Sequence, residues 1–297
     1  MTADLQERVI VAPEERRQAV LDVIDSAHER LQLSLFRCDD EPVMDALAAA
    51  VRRGVLVRAL LTSRAKRSKK QLKRLHAFLQ ELGADVRRYA DPVVRYHAKY
   101  VVADDGPGVV ASLNFTRKCF EDTCDFLLVS RDADLVAALT RLFDADWCDA
   151  ARELPDLPGD RLIVGPEQAR RRFEALLRQA TRRIRLIDPK ITDPAMLRLL
   201  KEREADGIEV DVRAQDGLGS LVPHGKLLLI DDSAAVLGSI SLSTLALEFR
   251  RELAVVIREK TSLRALDEFW KSLPSPPTRD AIPQTSRDAQ SGALRRV

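Results

Sequence analysis

Two copies of one short pattern constrain this chain more than any other feature. His97-Ala98-Lys99 is followed by Asp104 and His224-Gly225-Lys226 by Asp231, so both read H-x-K-x4-D. By composition, a given His carries Lys at +2 and Asp at +7 roughly once in a few hundred trials. Two of the chain's four His satisfy the pattern. The copies also sit at matching places in two halves that align with each other. Arg8-Val-Ile-Val-Ala-Pro13-Glu14 matches Arg161-Leu-Ile-Val-Gly-Pro166-Glu167 at an offset of 153 (161 − 8). The same offset pairs the apolar ladder Val20, Val23, Ile24, Ala27, Leu31 with Phe173, Leu176, Leu177, Ala180, Ile184. That spacing is the buried stripe of an amphipathic helix, with Pro and Glu as its openers.

Each half then alternates. Strands are expected at 31–36 and 184–187, helices at 42–53 and 194–205 ended by Gly54 and Gly207, and strands at 55–61 and 208–213. This alternation argues for α/β sheets with helices on their faces. Beyond it the offset falls to 127 (224 − 97), so the first half holds 26 extra residues (153 − 127), readable as a basic helix at 69–82 and a strand at 84–89. Each half closes on a helix reaching a core Trp, Trp147 or Trp270. The expected organisation is a first repeat at 8–150, a linker at 151–160, a second repeat at 161–273 and a disordered tail at 274–297. A repeat this long is a duplicated domain, which predicts two lobes related by a pseudo-twofold axis.

If the motifs lie on strands, residues two apart share a face, so each His stands beside its Lys. The following strand returns Asn114, or Ser241, to the same end. Two imidazoles, two ammonium groups and several hydrogen-bonding side chains suit a phosphodiester. One neutral imidazole attacks phosphorus and a protonated one serves the leaving oxygen. Lys99, Lys226 and Asn114 would hold the non-bridging oxygens. The alternative, two satisfied core histidines, would leave two lysines on buried strand faces without a counter-charge. His28 and His76 have no such company and read as residues of polar helix faces.

The motifs resemble the signature of the phospholipase D superfamily, two H-x-K-x4-D copies each followed by G-S/G-x-N, and the resemblance runs from Arg8 to about Leu273. It implies a duplicated α/β fold of two βα sandwich lobes with the active site between them, and a metal-free double displacement through a covalent phosphohistidine. It further implies His97 as nucleophile and His224 as general acid, with Lys99 and Lys226 completing the set. Asp104 and Asp231 belong to the catalytic motifs and are expected to support their strands. An acidic residue some eleven positions after the Asn, here Asp125 or Glu252, orients a His in the family. The sequence departs from the pattern at Ala111-Ser112-Leu113-Asn114, with Ala for Gly, and at Gly238-Ser239-Ile240-Ser241, with Ser for Asn. Ser112, Ser239 and Ser241 join Asn114 as expected phosphate-binding or orienting residues.

The chain's 48 basic and 46 acidic side chains nearly balance, so total charge does not indicate nucleic acid. A local run, Arg64, Lys66, Arg67, Lys69 and Lys70, reads as a solvated helix start or as a contact for an anionic membrane or nucleic acid. Cys38, Cys119, Cys124 and Cys148 are too few and too irregular for a disulfide framework, Cys119 and Cys124 read as buried or half-buried free thiols, and neither cofactor nor metal is expected. With no secretory segment and no apolar run of about 18 residues, a cytoplasmic monomer is expected. The leading function is a phospholipase D-type phosphodiesterase, hydrolysing or transferring a phosphatidyl group. The alternative is a metal-independent nuclease of the same superfamily: Asn114-Phe115-Thr116 resembles its small nuclease branch, and no apolar membrane-facing loop is visible.

Overall fold

The alternating pattern resolves into two sheets, each made almost entirely from one half of the chain. The computed structural model describes residues 6–64, 69–148, 153–274 and Ile282. Lys66, Arg67, residues 149–152 and all of the expected tail except Pro274 and Ile282 lie outside the described residues. The first half runs β1 (Glu7–Ile10), α1 (Pro13–Asp25), β2 (Arg30–Leu35), α2 (Glu41–Arg52) and β3 (Leu56–Thr62). The extra segment adds α3 (Lys69–Glu81) and β4 (Asp85–Tyr89). Then come β5 (Arg95–Tyr96), β6 (Tyr100–Ala103), β7 (Gly108–Ala111), α4 (Arg117–Glu121), β8 (Thr123–Cys124), β9 (Leu127–Ser130) and α5 (Ala133–Cys148).

The second half repeats this order without the extra pair. It begins with β10 (Leu162–Gly165), α6 (Ala169–Gln179), β11 (Arg183–Ile187), α7 (Pro194–Ala205) and β12 (Glu209–Arg213). It closes with β13 (Val222–Pro223), β14 (Lys226–Ile230), β15 (Ala234–Gly238), α8 (Thr244–Phe249), β16 (Arg250–Ile257) and α9 (Lys260–Ser272). The first sheet has the order β1-β9-β7-β6-β2-β3-β4 and the second β10-β16-β15-β14-β11-β12, the same path less one strand. The strand without a counterpart, β4, lies parallel to β3 at the edge. Gly54 and Gly207, with φ of 87° and 86°, follow α2 and α7 in the left-handed conformation that ends a helix.

Three apolar clusters hold the fold. One lies under α1–α3 in the first half and one under α6 and α7 in the second. The third draws on both halves, including Tyr100, Phe126, Phe143, Leu227, Leu253 and the two tryptophans. Trp147 lies beneath the guanidinium groups of Arg58 and Arg87, at 4.4 and 4.7 Å from its ring, and Trp270 beneath Arg185 and Arg213. No helix among the described residues is long and apolar enough to cross a membrane.

Short parallel pairings cross between the halves. β5 of the first half pairs with β16 of the second, Arg95 opposite Arg250 and Tyr96 opposite Arg251. β13 of the second half pairs with β8 of the first, Val222 opposite Thr123 and Pro223 opposite Cys124. These registers are equivalent under the offset of 127 (222 − 95 and 250 − 123), so the pseudo-twofold axis passes between them.

Local structure departs from the sequence reading at two points. Pro166 and Glu167 do not open α6; they lie in a turn, and the helix starts at Ala169. Gln168 closes that turn onto Val164, whose N–H it accepts with its side chain and whose carbonyl it meets with its own N–H. His28 is on no helix but in the exposed turn between α1 and β2. Cys148 is exposed at the end of α5, whereas Cys38, Cys119 and Cys124 are buried free thiols.

Gly225 lies where the second crossing is tightest. Its N–H donates to the Cys124 carbonyl at 2.7 Å, and a Cβ there would stand 2.4 Å from that oxygen and 2.9 Å from the Asp125 Cα. Gly225→Ala is therefore expected to cost about 1–3 kcal/mol, because backbone rather than a flexible side chain must yield. Urea unfolding checks this; a variant within ~0.5 kcal/mol of the parent, as ordinary surface changes are, would show that the strands are not so closely apposed.

Candidate active site

The crossings carry both motif imidazoles to one cleft. His97 follows β5 and donates its backbone N–H to the Arg251 carbonyl of the opposite half at 2.9 Å. His224 follows β13. Each ring then meets a buried carboxylate from the other half: His224 Nδ1 lies 2.9 and 3.0 Å from the Asp125 oxygens, and His97 Nδ1 is in hydrogen-bonding contact with Glu252 Oε1. The two acidic residues expected to orient a His thus act crosswise. With Nδ1 engaged, the Nε2 atom of each ring is the one left for chemistry.

Each motif lysine folds back on its own histidine. Lys99 Nζ donates to the His97 carbonyl and Lys226 Nζ to the His224 carbonyl, both at 2.6 Å, and Lys99 Nζ also lies 3.1 Å from His97 Nδ1. Two of an ammonium's three donors at most are used this way. The motif aspartates stand elsewhere, seven residues on along an extended chain, which is on the order of 20 Å. Asp104 accepts the backbone N–H groups of His28, Glu29 and Arg30 at 2.8–2.9 Å. Asp231 accepts those of Thr181, Arg182 and Arg183 at 2.8–3.0 Å, together with the Thr181 hydroxyl. Both adopt φ near 50°, which a short carboxylate side chain tolerates. Their carboxylates brace the loops ahead of β2 and β11, so grouping them with the catalytic side chains is corrected.

The two imidazole–carboxylate pairs differ in electrostatics. Asp125 accepts hydrogen bonds from Ser112 Oγ and Thr123 Oγ1, both at 2.5 Å. Burial pushes its pKa up, but the His224 charge and these hydrogen bonds outweigh burial and leave it lowered. Glu252 has only Arg250, at 3.4 Å, besides His97, and its Oε2 has no partner among the described residues. Burial pushes Glu252 up to about 7, against the pull of Lys99 and Arg250. Burial likewise pushes Lys99 down to about 7 despite Glu252. His97 is held well below its ordinary range, by burial first and then by Lys99, Arg250, Lys226 and His224. It is a neutral base.

The hydroxyls divide in the same way. Ser112 is an orienting group, bridging the Asp125 carboxylate and the Phe126 N–H. Ser239 does not do the same for Glu252; its hydroxyl exchanges 3.3 Å bonds with the Leu253 backbone. Asn114 lines the cleft with an Oδ1 that has no hydrogen-bond partner among the described residues. Ser241, in the equivalent place, donates to the Lys190 carbonyl at 3.1 Å. Lys190 itself lines the cleft.

Several residues that the sequence reading missed belong here. Lys190 and Arg37 both line the cleft and are repeat partners at the offset of 153. Thr123 and Arg250 each stand two residues before the orienting carboxylate and touch it. That matched −2 position was a legible signal, because alternate residues on a strand share a face. Phe36 packs on His97 with ring centroids 4.4 Å apart. Cys119, Asp125 and His224 bring donor atoms within 4.8 Å of one another, a grouping the sequence did not suggest. Both Asp125 oxygens and His224 Nδ1 are already joined in hydrogen bonds, so this trio does not present an open ligand set.

The cleft has a volume of about 940 Å³. Of the basic run, Arg64 and Lys69 line it, joined by Lys73 of α3 and by Arg88 and Arg95; Lys70 does not. Among the described residues the lining includes His97 and His224 but no carboxylate.

A family model described as "Cardiolipin synthase, PLD-like domain" matches residues 20–147 and 171–273. Among curated proteins, Cardiolipin synthase A of Pseudomonas aeruginosa is 30% identical over 138 residues, which is 46% of this chain and 28% of that protein's length. The fold is shared with two solved structures at a TM-score of 0.75. Phosphatidylserine synthase of Haemophilus influenzae Rd KW20 is 11% identical, with 99% of this chain and 93% of that one covered. Polyphosphate kinase of Porphyromonas gingivalis is 16% identical, with 97% of this chain and 52% of that one covered. With both halves matched by the family model and both motifs meeting in one cleft, the chain belongs to the phospholipase D superfamily, among proteins with the cardiolipin synthase PLD-like domain.

Proposed function

We propose that this protein cleaves a phosphodiester by double displacement at His97, hydrolysing or transferring a phosphatidyl group. The observation that carries the proposal is the crossed pairing, which leaves two imidazole Nε2 atoms in one cleft with differently charged partners. The lone pair of His97 Nε2 forms the N–P bond while the bond to the leaving oxygen breaks. That oxygen takes a proton from His224 Nε2, and ionised Asp125 stabilises the imidazolium that gives it. His224 then accepts the proton of water or an acceptor alcohol, whose oxygen attacks phosphorus and breaks the N–P bond, restoring His97. Lys99, Lys226, Asn114 and Lys190 supply hydrogen bonds and positive charge to the non-bridging oxygens.

The matched relative is a cardiolipin synthase, which favours a phosphatidyl substrate. Exposed Val93 and Phe249 add to this, because they precede the β5–β16 pair that brings Arg95 and Arg250 to the cleft. A second reading, cleavage of nucleic acid, draws on the cationic lining of the same cleft.

With bis(4-nitrophenyl) phosphate or phosphatidylglycerol vesicles in excess EDTA, the protein is expected to turn over. His97→Ala should abolish activity, and His224→Ala should lower kcat by about 10²–10⁴-fold and accumulate phosphohistidine. Turnover that disappears with EDTA would refute the mechanism.

The pH profile tests the electrostatics separately. Lys99 has a depressed pKa of about 7, so its charge is present below that value and lost above it. The free-enzyme parameter kcat/KM is therefore expected to fall as pH rises through about 7. A bound phosphate raises the affinity of Lys99 for its proton, so the alkaline limb of kcat should lie at higher pH. Coincident limbs in the two profiles would contradict this role for Lys99.

A further inference from the structure

The 26 extra residues of the first half supply part of the cleft wall rather than a remote surface. Lys69, Leu72 and Lys73 are at i, i+3 and i+4 on α3, so they share one face, and all three line the cleft. Arg64, just after β3, and Arg88, on the unmatched strand β4, line it as well. None of these four cations has an ion pair with a carboxylate among the described residues. Elsewhere Arg17, Arg58, Arg161, Arg170 and Arg183, by contrast, each sit against a carboxylate. Since the whole chain is nearly neutral, leaving these cations unpaired in a concave site focuses positive potential there.

One scissile phosphate does not account for them. Lys99 and Lys226 fold back on the motif histidines, Asn114 lines the cleft, and the second half lines it with Lys190 and Arg250 but has no counterpart of α3 or β4 among the described residues. We propose that Arg64, Lys69, Lys73 and Arg88 form a second phosphate subsite, which holds another phosphate of the same substrate molecule while its diester lies at His97. The inference rests on the phosphodiester reading for the scissile group and adds that the preferred substrate carries at least two phosphates. A nucleotide chain and a diphosphatidyl lipid both meet that requirement.

Binding can be read without turnover by titration calorimetry of the full chain, with inorganic orthophosphate and tripolyphosphate as probes at fixed ionic strength. The parent protein is expected to prefer tripolyphosphate by about thirtyfold or more, since added phosphates meet added charge-assisted hydrogen bonds. Lys69→Ala/Lys73→Ala should reduce that preference at least about tenfold, whereas Arg171→Ala/Arg178→Ala, the same charge change on exposed positions of α6, should retain it. Thermal melts establish that both variants fold.

No preference in the parent, or equal losses in the two variants, would overturn the subsite in favour of a diffuse field. Competition by hexathymidylate and by short-chain diphosphatidylglycerol separates the sources. Displacement of tripolyphosphate that depends on Lys69 and Lys73 supports the subsite and names the source; failure of both competitors overturns it. Because calorimetry needs no catalysis, an inactive protein that still shows the preference would refute the proposed reaction and leave the subsite standing.

Discussion

Each motif imidazole is tied to a buried carboxylate supplied by the other half of the chain, and the rest of the architecture follows from that crossing. A carboxylate buried without a partner is costly. Asp125 and Glu252, both fully buried, would be left so if either half folded alone. The two crossed strand pairs set the geometry, because they put the residues before each His in register with those before the opposite carboxylate. The apolar cluster between the sheets then supplies the non-directional cohesion. Packing holds the halves together, and the polar crossing selects one relative position.

Duplication alone would give two equal sites, but the halves have diverged where proton affinity is set. Asp125 is one methylene shorter than Glu252 and receives two hydroxyls, from Ser112 and Thr123. At the equivalent positions Ser239 turns to backbone and Arg250 stands beside Glu252. One carboxylate thus stays ionised beside His224, while the other is raised and faces an imidazole that burial and four cations keep neutral. A neutral base and an imidazole beside a fixed anion are the two states that a nucleophile and a proton donor require. The substitution of Asn by Ser241 fits the same divergence, since its hydroxyl braces the loop that presents Lys190.

Much of this was legible in the sequence because duplication writes each structural requirement twice. The offset of 153 aligned α1 with α6 and α2 with α7, and the drop to 127 isolated α3 and β4 as unmatched. The motif spacing singles out His97, Lys99, His224 and Lys226. Other features depend on tertiary contact and have no local signature. Nothing near Asp125 says that its partner is 99 residues away, and the reversed environments of Ser112 and Ser239 arise from the opposing strand. Asp104 was grouped with the catalytic residues because the motif spans it, yet its carboxylate serves three amides of the turn before β2. Pro166 failed as a helix opener because Gln168 closes a competing turn.

The site is also balanced for an anion that the protein itself does not supply. Lys99 loses part of its hold on a proton through burial, so the folded protein bears a cost that grows as pH falls from the lysine's ordinary 10.5 through about 7. Glu252 works in the other sense: its raised pKa gives stability that is full below its ordinary 4.5 and lost as pH rises through about 7. Near neutrality neither group is at ease, and each depends on the other's charge. A phosphate beside Lys99 relieves the first strain directly, because its negative charge restores the ammonium's preference for its proton. Affinity for a phosphate at that place and the protonation of Lys99 are therefore one linked equilibrium. In the proposed reaction, the burial that loosens the proton on Lys99 thus also makes that lysine responsive to a phosphate beside it.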